Sequence, residues 1–588
     1  MTYRPSVRDI AFCLDHVVGM DSLYGSAAFP EFDKDLRDAV LEAAGQLAGD
    51  VLAPLNRVGD LNGTKLDGDR VTVAPGFVEA AHAYAEGGWY GLHADPAYGG
   101  QGLPKMLEQA CLDLFNGANI AFTLLPTLSQ GAIEAIHAHG SQAQKDLYLP
   151  KLIAGQWSGC MNLTEPHAGS DLAALTAKAE PDGSGGYRLT GQKIFITWGE
   201  HEAVDNIVHL VLARLPDAPN GTRGISLFLC PKFVVDGDGN PDARNAVKCV
   251  GLEHKLGIHA SPTCVMAFEG AQAELIGSPH GGLAAMFTMM NAARLAVGVE
   301  GVGLADAAWQ KAQAYALERR QGRSVLTGED NALIYQHPDV RRMLGVMKAK
   351  TEAARAICLA TAAAVDEGET GVDPERAKRR EDFLVPIAKA WATDVACEVS
   401  SLGVQVHGGM GFIEESGAAQ YYRDARITPI YEGTNGIQAA DLTGRKLGND
   451  GVAAKELGED IRKFISGSGL QVEFKAEVGV LTSTLAAFSA ATDHLLEQKT
   501  AAPADVAAAA VPYLTLCGDL VGGWLLLKGA LAAKTLIAQG DGDAAWLEDR
   551  VRLTRIYYAH VLPHAPAHLA AVKAGFAPFD GLEMALEG

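Results

Sequence analysis

A change of texture near residue 159 limits this chain's fold more than any other feature. From about 159 to 275 the sequence breaks into short β-rich runs, YRLTGQKIFITWG, NIVHLVLARL, GISLFLCPKFV and TCVMAFEG, punctuated by Gly, Asp and Pro. Such runs are the strands of an antiparallel sheet domain. On both sides apolar residues recur at spacings of three and four, the helical period. FDKDLRDAVLEAAGQLAGDVLAPLNR precedes the sheet. LAAMFTMMNAARLAVGVEGVGLADAAWQKAQAYALERR, DVRRMLGVMKAKTEAARAICLATAAAV and DFLVPIAKAWATDVACEVSSLGVQVHGG follow it, long enough to form a bundle. After GRKLGNDG the chain continues rich in Ala and Leu. The pattern predicts an α+β protein in five parts. These are an N-terminal extension (1–35), a helical domain (36–158), a middle antiparallel β domain (159–278), a helical bundle (279–448) and an additional helical domain (449–588).

A chain of 588 residues exceeds one ordinary core, in keeping with several domains. Its net charge of −22 repels phosphate backbones and argues against a nucleic-acid partner. The nine cysteines are scattered, odd in number and without CxxC spacing, which fits free thiols in a reducing cytoplasm. The start, MTYRPSVRDIAFCLDH, mixes charges where a signal peptide needs an apolar run. In VPYLTLCGDLVGGWLLLKGALAAKTLIAQ, Asp519, Lys528 and Lys534 interrupt the stretch before the ~20 apolar residues of a membrane span, so it reads as a core or interface helix. A cytoplasmic, bacterial protein is expected.

Several stretches carry chemistry, each with a plain structural reading beside it. CMNLTEPHAGSD (160–171) is either an ordinary polar turn or a loop whose N–H groups and hydroxyls hold a polar or phosphorylated ligand. KIFITWGE puts Phe195 and Thr197 on one face of a strand, suited to the core or to the flank of a planar ring. NAARLAVGVEGVG sets Arg294 among small residues that admit a second helix or a ligand. ALERRQGR ends a helix with cations, which either compensate its dipole or bind pyrophosphate. GVQVHGGMGF is a glycine-rich turn, by itself a weak signal. RITPIYEGTNGIQ places Glu432 after an apolar run and before a helix start, either as a solvated turn residue or as a base in a dry pocket.

Taken in this order and at these separations, the TEPHAGSD loop, the FITW strand, the Arg294 helix, QVHGGMGF and YEGTNGIQ resemble the acyl-CoA dehydrogenases over about residues 40–448. The resemblance implies a helical, β, helical fold with FAD held between the domains, and a homo-oligomer in which a neighbouring subunit completes each flavin site. It implies that Glu432 removes the α-proton of a thioester while hydride passes from Cβ to flavin N5. Gly433 and the Glu432 N–H would lie along the thioester, and Ser170 and Arg294 would contact the CoA portion. Leu163, Thr164, Phe195 and Thr197 would contact the flavin ring, with Phe195 standing where many members have Trp. Thr434 would touch the same flavin, and Arg319, Gln405 and Gly409 would reach the partner's. No metal is implied. Two positions depart from the family: ERRQGRS lacks the Phe that often follows the basic cluster, and Gly436 replaces a larger side chain.

The added segments, with LEHKLGIHASP and VHGGMGFIEESGAAQYYRD, look most like the long members that oxidise the CoA ester of a methylthio acid. The expected substrate is 3-methylmercaptopropionyl-CoA, formed in dimethylsulfoniopropionate breakdown; the alternative is a short or medium straight-chain acyl-CoA. An electron-transfer flavoprotein is the expected acceptor, an oxygen-using oxidase the competing reading. A dimer is expected, with the apolar run around Trp524 covering a second interface. The extension either braces the added domain or closes part of the substrate entrance.

Overall fold

The structure is a computed structural model and describes residues 3–582. The chain opens with helices α1 (Val7–Cys13), α2 (Lys34–Gln46) and α3 (Ala53–Asn62) and a hairpin of β1 (Lys65–Asp67) and β2 (Arg70–Thr72). Helices α4 (Phe77–Glu86), α5 (Lys105–His139) and α6 (Gln142–Ile153) follow. The sheet region comprises β3 (Trp157–Asn162), β4 (Lys178–Pro181), β5 (Tyr187–Thr197), β6 (Asn206–Arg214), β7 (Ile225–Pro231), β8 (Phe233–Val235), β9 (Pro241–Arg244), β10 (Val247–Leu252) and β11 (Thr263–Ile276). The bundle is built from α7 (Gly282–Glu318), α8 (Pro338–Thr370), α9 (Pro374–His407), α10 (Ala418–Ala425) and α11 (Asn435–Asp441). The last part holds α12 (Gly448–Ile465), α13 (Ser468–Glu473), α14 (Lys475–Gln498), α15 (Pro503–Gln539), α16 (Ala544–His560) and α17 (Ala565–Ala574).

Local chemistry sets many of these boundaries. Asp33 caps α2 by accepting from the Leu36 N–H at 2.8 Å, and Ser141 with Gln144 forms a reciprocal capping box on α6. Seven strands form the main sheet, in which β7 pairs with both β6 and β11 and so closes the sheet on itself. Most of its pairings are antiparallel, as the alternation predicts, but β3 runs parallel to β6. The loop and β-strands between these two allow that parallel return.

Two helices, α7 and α15, have the length and apolar content of a membrane span, yet 67% and 72% of their most apolar windows lie buried inside the protein. Glycines explain how α7 packs so closely. A Cβ on Gly298 would lie 2.8 Å from the Ala388 carbonyl, and one on Gly301 2.7 Å from that of Ala392. Gly298 and Gly301, one and two turns beyond Arg294, therefore admit a helix, α9. Helix α15 packs on α8, α9 and α11, so the last part lies against the outer face of the bundle.

The N-terminal segment stitches the bundle to the last part. Ser6 Oγ donates to Asp306 on α7 at 2.6 Å, Asp9 pairs with Lys348 on α8 and Arg550 on α16, and Phe12 meets Trp546 edge-on. Further along, Ala28 and Phe29 line a cavity of about 620 Å³ together with Asn291 and Leu295 of α7. Bracing the added domain is thus one role of this segment, and walling a cavity beside the bundle is a second. All nine cysteines are free thiols.

Candidate active site

The turn from Pro429 to Asn435 carries the central group. The Asn435 N–H donates to the Pro429 carbonyl at 2.9 Å and closes the turn, and Thr434 Oγ1 accepts from the Ile437 N–H to cap α11. Asn435 also ties the turn to α9, donating through Nδ2 to the Ala390 carbonyl and to Asp394. Glu432 itself sits at φ +54°, in the left-handed region that a side-chain-bearing residue rarely adopts, and is followed by Gly433 at φ +84°. Gln438 holds the carbonyls of both residues at 3.3 Å. The Glu432 N–H donates to no protein group among the described residues and stays free for another acceptor.

Arg294 and Lys389 lie near Glu432, but neither forms an ion pair with it among the described residues. Burial pushes its carboxyl above the usual range, a shift that Arg294 and Lys389 partly offset. Lys389 on α9 is brought down to about 8 by burial, against the pull of Glu432 and Glu300. Its Nζ donates to Asn435 Oδ1 at 2.9 Å. Arg294 stands 3.9 Å from Asp441 and keeps a buried Nε without a partner. A Cβ on Gly433 would lie 3.8 Å from an Arg294 nitrogen, so the turn passes directly under the guanidinium. A buried donor left unmet is costly and calls for a partner, such as water or a ligand.

A second cluster lies on the sheet. Lys193 donates to the Leu163 carbonyl and to Glu165, both at 2.9 Å, and the Ile194 N–H donates to the Thr164 carbonyl. These bonds join the TEPHAGSD loop to β5 at Lys193 and Ile194, the two residues before Phe195. At Phe195 the strand carries a β-bulge. Between the pairs Lys193–Met266 and Ile196–Cys264, two β5 residues oppose Val265 alone. The inward set shifts from Leu189 and Lys193 to Ile196, and Phe195 is thrown out at φ +59° with 58% of its surface exposed. An apolar ring held outward in a strained conformation provides a face for a flat ring. Ser170 lies on the exposed turn of the same loop.

The remaining residues gather elsewhere. Arg319 ends α7, 25 residues beyond Arg294, or roughly 37 Å at the helical rise. Tyr315 stacks on His407 at 4.5 Å and places this end of α7 beside Gln405 at the end of α9 and Gly409 in the turn that follows it. All three predicted residues are exposed there, and a Cβ on Gly409 would meet nothing. Phe412 is 86% exposed beside them. One protomer therefore carries two separate sets, Glu432 with the β5 face and the Arg319–Gln405–Gly409 end. The departure at Gly436 is not filled, since only Thr434 Oγ1 lies within 4 Å of where its Cβ would be.

Sequence reasoning singled out neither Glu300, Lys389, Tyr431 nor Gln438. A lone carboxylate in LAVGVEGVG and a lone lysine in VPIAKAWATDV were available signals, charges inside otherwise apolar helices. One group of metal-ligand type, His93, Asp366 and Glu369, also comes together, but Asp366 accepts from the Lys105 and Met106 N–H groups and serves as a cap for α5.

The chain matches the acyl-CoA dehydrogenase N-terminal domain over residues 60–156, the middle domain over 160–271 and the C-terminal domain over 280–447. It also matches an acetyl-CoA dehydrogenase C-terminal-like domain over 457–579. A 3-methylmercaptopropionyl-CoA dehydrogenase of Ruegeria pomeroyi is 46% identical over 96% of this chain and 97% of its own length. The broad-specificity linear acyl-CoA dehydrogenase FadE5 of Mycobacterium tuberculosis is 34% identical over 95% and 96%. Among solved structures, Caenorhabditis elegans ACDH-11 in complex with C11-CoA shares the fold with a TM-score of 0.78, at 20% identity over 95% of this chain and 92% of its own. The chain belongs to the acyl-CoA dehydrogenase family and is an oxidoreductase.

Proposed function

We propose that this protein introduces the α,β double bond into a short-chain acyl-CoA, 3-methylmercaptopropionyl-CoA foremost, with Glu432 as the base. The observation that carries the reading is the Glu432 turn: a half-buried carboxylate held left-handed under Arg294, with its own N–H free. An α-proton beside a thioester is weakly acidic, so the base must be strong and the enolate's oxygen must find donors. Burial raises the basicity of Glu432. The free Glu432 N–H supplies a donor for the thioester oxygen, where it strengthens as charge develops. Arg294, short of partners, suits the polar portion of CoA, and Ser170 the portion nearer the surface.

Family members are FAD-dependent. The residues present fit that group: Phe195 offers its exposed ring, Leu163, Thr164 and Thr197 border it, and FAD bound there would accept the hydride from Cβ. The Arg319–Gln405–Gly409 end lies too far along α7 to serve the same flavin, which supports a homo-oligomer in which it reaches the partner's. Packing of α15 over the outer bundle favours a dimer. An electron-transfer flavoprotein then takes the electrons, in a cytoplasmic enzyme.

The methylthio substrate rests on the 46% identity over nearly the whole chain. A straight-chain acyl-CoA is the second reading, favoured by the FadE5 likeness. Sulfur and CH₂ differ little in volume, and one methylene is worth only ~1–3 kcal/mol in a pocket, so both classes should react. The test compares kcat/KM for 3-methylmercaptopropionyl-CoA with butyryl-, pentanoyl- and octanoyl-CoA. The proposal expects the methylthio ester to match or exceed pentanoyl-CoA. Turnover of octanoyl-CoA alone would contradict it.

A further inference from the structure

Behind Glu432 stands a second carboxyl that the reaction above does not use. Glu300, on α7, is 1% exposed. Tyr431, the residue before the base, donates its hydroxyl to Glu300 Oε2, while Glu300 Oε1 has no partner among the described residues. Gly298 and Gly301 press this part of α7 onto the α9 backbone at Ala388 and Ala392, leaving little room for water. The nearest cation on α9, Lys389, is turned to Asn435 and forms no ion pair with Glu300 within 4.0 Å. The charged groups facing Glu300 are Glu432 from the turn and Lys389 from α9, and Lys389 is in turn acted on by Asp394 and Arg294.

An ionised carboxylate with one bare oxygen in such a place is heavily penalised. Two carboxylates in one pocket also disfavour each other's charge. A proton on Oε1 removes both penalties and leaves Oε2 free to accept from Tyr431. We propose that Glu300 is a neutral carboxylic acid that positions the base: through Tyr431 it fixes the left-handed turn at Glu432, and it leaves Glu432 as the pocket's ionised carboxylate. This rests on the reading of Glu432 as the base only for its kinetic consequence. In support, burial and the neighbouring Glu432 charge push the Glu300 carboxyl up to about 8, with the Tyr431 bond and Lys389 acting the other way.

The test uses Glu300→Gln and Glu300→Ala in the flavin-loaded enzyme, with two readouts. The first is stability against pH. In the unfolded chain this carboxyl ionises near its ordinary value, while in the folded protein it keeps its proton to about 8. Unfolding therefore releases a proton between those values, and wild-type stability falls as pH rises through that window. Glutamine has no proton to release, so the Tm of Glu300→Gln should gain on wild type from pH 5 to pH 8. An infrared band of a protonated carboxyl should vanish in the same variant. A Tm difference independent of pH, with no such band, would overturn the neutral acid whatever Glu432 does.

The second readout is kinetic. Glutamine can still accept from Tyr431, whereas alanine cannot. Glu300→Ala should lower kcat about 10–100-fold, the scale of a small misplacement, with acyl-CoA affinity nearly unchanged. Glu300→Gln should recover most of that loss and leave the acidic limb of the kcat profile in place. A limb displaced to lower pH in Glu300→Gln would mean that a negative charge had been removed, and would overturn the proposal. Wild-type kcat in Glu300→Ala would overturn the positioning role.

Discussion

Two buried charge clusters in this molecule use the same residue types to opposite ends. At the junction of α1, α7, α8 and α16, Lys348 contacts Asp9, Asp306 and Glu352 at 2.7–3.2 Å. Arg355 grips Asp113 and Glu352, and Arg550 reaches Asp9. Every charge there has an opposite charge within 4.0 Å. Burial works to raise Asp9 and Asp306, yet Lys348 and its neighbouring arginines hold both below the usual carboxylate range. Around Glu432 the accounting is left open. Among the described residues Glu432, Glu300 and Lys389 have no opposite charge within 4.0 Å, and polar atoms of Arg294, Glu300 and Gln438 lack partners. A closed network holds elements together, while an open one is prepared for something that arrives. The distinction lies in whether each buried charge meets an opposite one, not in how many charges are buried.

Substitutions in both clusters can break this comparison. The largest effect is expected at Glu432. Glu432→Gln should lose about 10²–10⁴-fold in kcat, the usual contribution of a positioned base, and fold normally. In the closed network, Lys348→Met leaves three carboxylates short of a cation. It should cost about 3–5 kcal/mol of stability, read by denaturant unfolding, with kcat per folded enzyme unchanged. If Lys348→Met instead abolished turnover without loss of stability, the junction would not be merely structural. Arg294→Gln should weaken acyl-CoA affinity by about 1.5–3 kcal/mol, the range of hydrogen bonds to charged groups, seen in KM more than in Tm. Phe195→Ala should weaken flavin retention least, by about 0.5–1.5 kcal/mol for a lost ring contact, measured by dialysis against free FAD.

The domain order was legible from periodicity, because the switch between the helical and strand periods is local. A turn and a helix start after Glu432 were also legible in Gly433-Thr434-Asn435, but the left-handed backbone of Glu432 itself was not, since glutamate rarely adopts it. The bulge at Phe195 was not. It depends on the register between β5 and β11, which are separated by more than sixty residues, and KIFIT reads the same with or without it. The parallel placement of β3 beside β6 was hidden for the same reason. The small neighbours of Arg294 were left open between helix and ligand, and at Gly298 and Gly301 the contact with Ala388 and Ala392 shows a packed helix. Glu300 escaped notice because its meaning depends on Tyr431, 131 residues away.

The central claim is that the Glu432 carboxylate takes the α-proton from a bound thioester. Anaerobic mixing of flavin-loaded wild type and Glu432→Gln with 3-methylmercaptopropionyl-CoA tests it most directly, because binding and flavin reduction give separate signals. The account predicts that wild type binds the thioester and its visible flavin absorption bleaches, while the variant binds with similar affinity and does not bleach. Bleaching of the variant at the wild-type rate would contradict it and place the base elsewhere.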